Sequence, residues 1–229
     1  QFPAQSQQTQ PGDEGEMTPE PEYIRADYQG TGRLQDRVAV ITGGDSGIGR
    51  AVAVLFAREG ANVAIAYLEE HDDAHITREA CEAEGAQVLL SAGDLGDPDH
   101  CQGLIDAVID RFGALDVLVN NAGEQHPDKE VTKITAQQLQ RTFQTNIFSH
   151  FHMAKAAVPH LGEGDTIIAT SSVNAFKGND TLIDYSATKG AIQGLVRSLA
   201  QSLVDEGIRV NAVAPGPVWT PLIPASFGP

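Results

Sequence analysis

Basic residues, cysteine and long apolar runs are scarce in this chain, and each shortage excludes a class of function. Lys and Arg together number 15 against 31 Asp and Glu, which leaves a formal net charge of -16 and a pI near 4.6. A phosphate backbone is recognised by basic patches, so nucleic-acid binding is excluded on charge. The acidic excess reads as a well-solvated surface. Two cysteines, Cys81 and Cys101, cannot form a disulfide framework. The plain reading is a reduced, cytoplasmic protein in which both thiols pack as small side chains. No apolar run approaches the roughly 18 residues of a membrane span, and the N-terminus lacks a signal-peptide pattern, so no membrane partner is expected. His71 and His75 stand four apart among acids, but a closed metal site needs more ligands; they read as a solvated helix start and no metal is assigned.

What remains is a chain with 41% hydrophobic residues, enough for a sizeable core. Residues 1–35 differ from the rest. They are rich in Gln, Pro, Gly and Glu, have no period and cannot form a core of their own. They predict a disordered tail, or an arm lying along the body or a neighbouring subunit, with Tyr23, Ile24 and Tyr28 as anchors. The chain begins at Gln1 rather than Met, which reads as a trimmed start.

From residue 36 to 223 apolar runs alternate with helical spacing. Strands are predicted over 37–42, 62–67, 87–93, 115–120, 165–171 and 208–215, and helices over 51–60, 72–84, 97–112, 135–160 and 183–206. Near-continuous apolar strands alternating with helices imply a parallel sheet covered on both faces. Right-handed crossovers then give an α/β fold, a doubly wound parallel sheet in a single domain, the Rossmann arrangement.

The first strand runs into TGGDSGIGR, residues 42–50. In such a fold this loop lies at the carboxyl edge of the sheet, and the next helix points its free N–H groups at it. Gly43, Gly47 and Gly49 allow a tight turn and close approach to a pyrophosphate, so the loop predicts a dinucleotide. NNAG, residues 120–123, follows the fourth strand at the same edge. Asn146 lies inside the long helix after it, Ser171 and Ser172 end the fifth strand, and Tyr185 and Lys189 stand four apart on one helix face.

With these motifs in order, from about Leu34 to Ile223, the chain resembles the short-chain dehydrogenase/reductase family. The arm and the AGEQHP and APGPVWTPLIP segments resemble a bacterial branch of it, of the general-stress or glucose/ribitol dehydrogenase type. The resemblance implies catalytic roles for Asn146, Ser172, Tyr185 and Lys189; the thirteen-residue spacing to Tyr185 selects Ser172 over Ser171. It implies cofactor contacts from Asp45, Ser46 and Ile48 beside the glycines, from Tyr67 and Leu68 after the second strand, and from Asp94 and Leu95 after the third. Asn121, Ala122 and Gly123, Pro215 and Gly216, and Val218 and Thr220 complete that implied set, together with Tyr185 and Lys189. The implied activity is NAD(P)-dependent transfer of a hydride to or from a small-molecule alcohol or carbonyl compound. Sugars or polyols lead, with small aldehydes or ketones next. A cofactor-binding but inactive scaffold is the competing class, against which the intact Ser172, Tyr185 and Lys189 argue. A homo-oligomer, tetramer or dimer, is implied as well.

Proton movement must accompany such a reaction, and a phenol with a pKa near ~10 is a poor base at neutral pH. A nearby Lys ammonium, together with the positive nicotinamide of the oxidised cofactor, favours the phenolate, so Tyr185 is expected to have a lowered pKa and to act as general base or acid. Ser172 is placed to donate to the substrate oxygen. The resemblance gives Lys189 the ribose hydroxyls and Asn146 a water linking Lys189 to solvent. Tyr67 stands where an NAD-selecting Asp often sits, Ser46 carries no charge, and Glu69, Glu70, Asp72 and Asp73 follow. A 2′-phosphate would meet like charge there, so NAD is favoured, with NADP possible. His126 in AGEQHP fits either a substrate contact or a structural loop role. The family continues past TPLIP into a substrate lobe, a further helix and a seventh strand. Residues 224–229 are expected to begin that lobe, with the last helix and strand absent and Val210–Val213 left at an apolar edge.

Overall fold

Six short, largely apolar runs pair side by side in the computed structural model, which describes residues 3–227. They are β1 (Val38–Thr42), β2 (Asn62–Tyr67), β3 (Val88–Ala92), β4 (Val117–Asn120), β5 (Thr166–Thr170) and β6 (Arg209–Val213). All five pairings are parallel and the order is β3-β2-β1-β4-β5-β6. The chain order reverses between β1 and β4, the switch point at which open α/β sheets open a crevice.

The two faces carry separate cores. Val38 and Val40 of β1 face one layer, with Leu118, Ile167 and residues of α3 (Pro98–Phe112), α5 (Ser149–Ala157) and α7 (Ile183–Leu203). Ala39 and Ile41 face the other, against α1 (Gly47–Arg58) and α2 (His71–Ala83). A side-chain period of two sorts one strand into both cores. Helix boundaries follow local chemistry: α3 starts on Asp97, whose carboxylate accepts from Asp99 N–H, has Pro98 in its first turn, and stops at Gly113. β6 forms one edge of the sheet, with Val213 half exposed, and no strand lies beyond it among the described residues. No helix among the described residues is long and apolar enough to cross a membrane.

Three elements depart from the sequence reading. The single helix expected over 135–160 is α4 (Ala136–Phe143), a π-helical segment (Gln144–Phe148) and α5; Ser149 N–H bonds Gln144 C=O, five residues back. Short helices α6 (Asn174–Lys177) and α8 (Leu222–Ser226) occupy stretches to which the sequence reading assigns no element. The ends of the arm and lobe at Gln1, Phe2, Gly228 and Pro229 lie outside the described residues.

The polar arm lies along its own chain. Tyr23 and Ile24 pack against the α1–α2 core, Met17 is buried, and the Tyr28 hydroxyl bonds Glu59 at the end of α1. That bond, with the amides of Arg33 and Thr31, pulls the Glu59 carboxyl down to about 2. The three aromatic and aliphatic anchors were legible from composition; the buried Glu14 and Met17 were not.

Cys81 and Cys101 are free and buried, and burial pushes both thiols up to about 12. Neither thiolate is populated at neutral pH. The folded protein is therefore expected to leave both unreacted with an aromatic disulfide reagent until denaturant is added. Rapid release of chromophore from the native protein would contradict this packing.

Candidate active site

The switch point brings two loops into contact. Thr42, the last residue of β1, accepts through Oγ1 from Asn121 N–H (2.8 Å) and Ala122 N–H (3.0 Å). Asn121 Nδ2 donates to the carbonyls of Thr42 and Gly43, each at 3.2 Å. The NNAG motif is thus a brace for the glycine loop. Gly47 starts α1 at φ +52, where a side chain would be strained. A Cβ on Gly49 would stand 1.8 Å from Gly43 O, so this glycine lets loop and helix cross.

A cleft of about 390 Å³ opens across this edge. Gly43, Asp45, Ser46, Gly47 and Ile48 line it, as do Tyr67, Leu68, Asp94 and Leu95. Asn121, Ala122 and Gly123 line it too, with Pro215, Gly216, Val218 and Thr220. Ser172, Tyr185 and Lys189 open on the same cleft. Of the expected site residues, Gly49 and Asn146 are not in the lining. The N–H groups of the first helical turn have no partner inside the helix. Ile48 and Gly49 are therefore free to face a phosphate, whereas Gly47 N–H already donates to Glu14 of the arm at 2.5 Å. Cleft, crossing glycines and helix start together fit a dinucleotide.

At the other end, β5 and α7 are laced together. Lys189 Nζ donates to Thr170 O (2.8 Å) and Ser171 Oγ to Lys189 O (3.0 Å). Lys189 Nζ stands 5.4 Å from the Tyr185 ring centroid, so the two share the face their spacing predicted. Asp184, buried just before Tyr185, accepts from Tyr185 N–H and from Gln138 and Thr142. This acid in the first turn of α7 fixes the helix start, and DYSATK contained its signal.

In the chain by itself the Tyr185 pKa is shifted upward. Burial holds its phenol above the ordinary value, and the hydrogen bond with Ser172 pulls only partly the other way. Lys189 is itself brought down to about 8 by burial, which weakens it as a phenolate partner. Burial pushes the Asp45 carboxyl up to about 6, with Glu70 and Asp73 adding to the effect.

Asn146 spends its side chain on the loop after β4. Its Oδ1 accepts from Glu124 N–H and its Nδ2 donates to Glu124 C=O, both at 2.8 Å, and Nδ2 also donates to Thr188. The π-helical turn carrying it is a feature common at functional sites. Asp94 is likewise occupied: Arg141 pairs with it at 2.6 Å and with Glu124 at 3.2 Å. His126 bonds Glu124 at 3.3 Å, which raises its pKa. His71 Nδ1 lies 3.0 Å from the Tyr67 hydroxyl. Arg141, Gln10 and Gln125 all line the cleft without having been anticipated, because their partners are distant in sequence.

His150, one turn beyond Asn146, is wholly buried with neither ring nitrogen bonded to protein, and burial brings its pKa down to about 3. Its folded pKa lies below the unfolded ~6.5, so the unfolded chain takes up the proton first and stability falls as pH drops below 6.5. From pH 7 to pH 5 that amounts to about 2 kcal/mol. His150→Met is expected to shrink the pH 7-to-5 change in urea-unfolding free energy by this amount; an unchanged difference would show that the imidazole is not buried neutral.

The comparisons agree with this arrangement. The sequence model of the family described as short chain dehydrogenase matches residues 37–227. General stress protein 39 of Bacillus subtilis is 55% identical over 99% of this chain and 79% of its own length. Glucose and ribitol dehydrogenase of Daucus carota is 49% identical over 99% of this chain and 80% of its own. A short-chain dehydrogenase from Burkholderia cenocepacia, solved with NADP, superposes with a TM-score of 0.80 at 36% identity, covering 83% of this chain and 78% of that one. The chain belongs to the short-chain dehydrogenase family, an oxidoreductase family whose members hold a nicotinamide cofactor on this fold.

Proposed function

We propose that this chain interconverts a small alcohol and its carbonyl compound, with a sugar or polyol as the leading substrate class. The observation that carries the reading is the buried group of Ser172, Tyr185 and Lys189 opening on the same cleft as the glycine loop. A nicotinamide cofactor bound on that loop would supply or accept the hydride. Tyr185 Oη gives the proton to the substrate oxygen in reduction and takes it in oxidation. Ser172 Oγ donates to the same oxygen where negative charge develops. Lys189 Nζ lies beside the phenol and holds α7 to β5, while Asn146 acts through its backbone, since its side chain is committed to Glu124. Asn174, Lys177 and Asn179 also line the cleft, and their polar groups suit a hydroxyl-rich substrate. The name of the carrot relative supports the same class.

We propose NAD as the cofactor. Asp45 and Glu70 line the cleft and Arg50 is tied to Glu14 and Asp73, so among the described residues lining the cleft beside the end of β2 there is no free base to pair a 2′-phosphate. The solved relative binds NADP, so the selection rests on these charges and is testable. Asp45→Asn is expected to tighten NADP roughly three- to tenfold and to leave NAD nearly unchanged. In the unsubstituted protein NADP affinity should rise as pH falls through about 6, where the raised Asp45 carboxyl becomes neutral. A flat pH profile, or tighter binding of NADP than NAD at pH 8, would overturn this choice.

The test of the function is the change in reduced-nicotinamide absorbance over a panel of polyols, sugars and small aldehydes, with both cofactors. Turnover of at least one hydroxylated substrate is expected; none with either cofactor would sink the reading. Phe148 and Phe151, exposed three residues apart, support self-association. Two buried free thiols suit the reducing cytoplasm.

A further inference from the structure

We propose that the N-terminal arm is a working part of the substrate end of the site, with Gln10 as a positioning residue for it. The proposal rests on the oxidoreductase reading above. The side-chain amide of Gln10 pairs with the main chain of Gln125 as a neighbouring peptide would. Its Nε2 donates to Gln125 O at 2.6 Å and its Oε1 accepts from Gln125 N–H at 3.1 Å. The same Nε2 lies 3.4 Å from Ala225 O in α8. One half-buried amide thereby joins the loop after β4 to the segment after β6, two elements some hundred residues apart in the chain.

Both elements reach the chemistry. The loop is clamped at Glu124 by Asn146, and Asp128 N–H donates to Thr181 O at 2.8 Å, just before α7 begins. A shift at Gln125 therefore bears on the start of the helix that carries Tyr185. The segment 217–227 is held by further arm contacts: Gln7 N–H to Pro224 O at 2.7 Å, and Trp219 Nε1 to Pro19 O at 2.9 Å. A Cβ on Gly12 would stand 2.8 Å from Pro221 O, so the arm lies directly against this segment. Gln10, Pro11 and Gly12 line the cleft itself.

The arm has a fixed point from which to hold them. Glu14 accepts from Gly47 N–H and from Arg50 (2.6 Å), and its own N–H donates to Asp73 (3.0 Å). The arm is thus pinned on the cofactor side and reaches across to the substrate side. Gln10 is half-buried and belongs to neither hydrophobic core, so loss of its amide should disturb position more than global stability.

Gln10→Ala is expected to raise KM for the best substrate about tenfold, the effect of losing one half-buried hydrogen-bonded anchor, with cofactor Kd and thermal midpoint nearly unchanged. Gln10→Glu keeps the length but sets a carboxylate against two carbonyl oxygens, and should be worse than alanine. Independently of turnover, hydrogen exchange at Gln125 N–H and across 217–227 should quicken in Gln10→Ala. Absence of turnover in the parent protein would sink the oxidoreductase reading, while the exchange experiment still decides whether the amide holds the two elements. Unchanged exchange overturns the proposal. So does quickened exchange with an unchanged KM, or a KM that moves only together with cofactor Kd and thermal midpoint, either of which makes the arm a structural brace alone.

Discussion

Tyr185→Phe is expected to lower kcat by about 10³ while cofactor Kd stays within about twofold. The ring is 8% exposed, packed beside Lys189, and phenylalanine keeps its shape. Only the hydroxyl is lost, and with it the group that gives or takes the substrate proton. Neither nearby histidine is placed as a substitute: His150 is wholly buried and held neutral, and His126 bonds Glu124. The pH profile supplies a second check. Burial keeps the phenol protonated in the free protein, so oxidation should be slow at neutral pH and rise with pH. Lys189, brought down to about 8, loses its charge across the same range, so Lys189→Met should change the profile as well as the rate. Steady-state rates at saturating cofactor decide the matter. A Tyr185→Phe variant with near-parental kcat would remove Tyr185 from the chemistry and leave Ser172 to explain it.

Much of this site was readable before any coordinates, for physical reasons. Glycines at 43, 47 and 49 are forced by a sharp turn and a backbone crossing, and both leave a local mark in sequence. Short, near-continuous apolar runs located all six strands. Tyr185 and Lys189 share a helix face because four residues make about one turn. What escaped depends on groups brought together from afar. Nothing near Arg141 indicates that Asp94 and Glu124 will share it, and nothing near Gln10 points to Gln125. The π-helical turn at Asn146 differs from an α-helix by one inserted residue, which apolar spacing does not resolve. The burial that raises the Tyr185 pKa in the chain by itself comes from packing between distant segments, which leaves no local mark in sequence.

Arg50→Leu is expected to destabilise the fold by about 3–5 kcal/mol, the usual result of removing one partner from a buried ionic cluster. Arg50 is 4% exposed; it pairs with Glu14 at 2.6 Å and Asp73 at 2.7 Å, and its Nε donates to Asp45 O and Thr77 Oγ1. Leucine would leave two carboxylates buried without a cation. The cluster's partners are not equivalent. Burial holds the Glu14 carboxyl above the usual carboxylate range despite Arg50 and Gly47 N–H, so its ionised form is only partly compensated. Glu14→Gln removes that burden while the amide oxygen can still accept from Gly47 N–H, and should cost far less than Arg50→Leu. A chain combining Arg50→Leu with Glu14→Gln and Asp73→Asn should recover most of the loss, since no buried charge then stands alone. Urea midpoints of the four proteins test this, and added salt should alter the differences little because the cluster is shielded from solvent. Equal stability of Arg50→Leu and the parent would mean that the arm is held by Tyr23, Ile24 and Tyr28 rather than by charge. The triple variant should also loosen the arm, because the ion pair that pins residue 14 to residue 50 is gone, and the KM effect expected of Gln10→Ala should appear in it even though most of the stability is recovered.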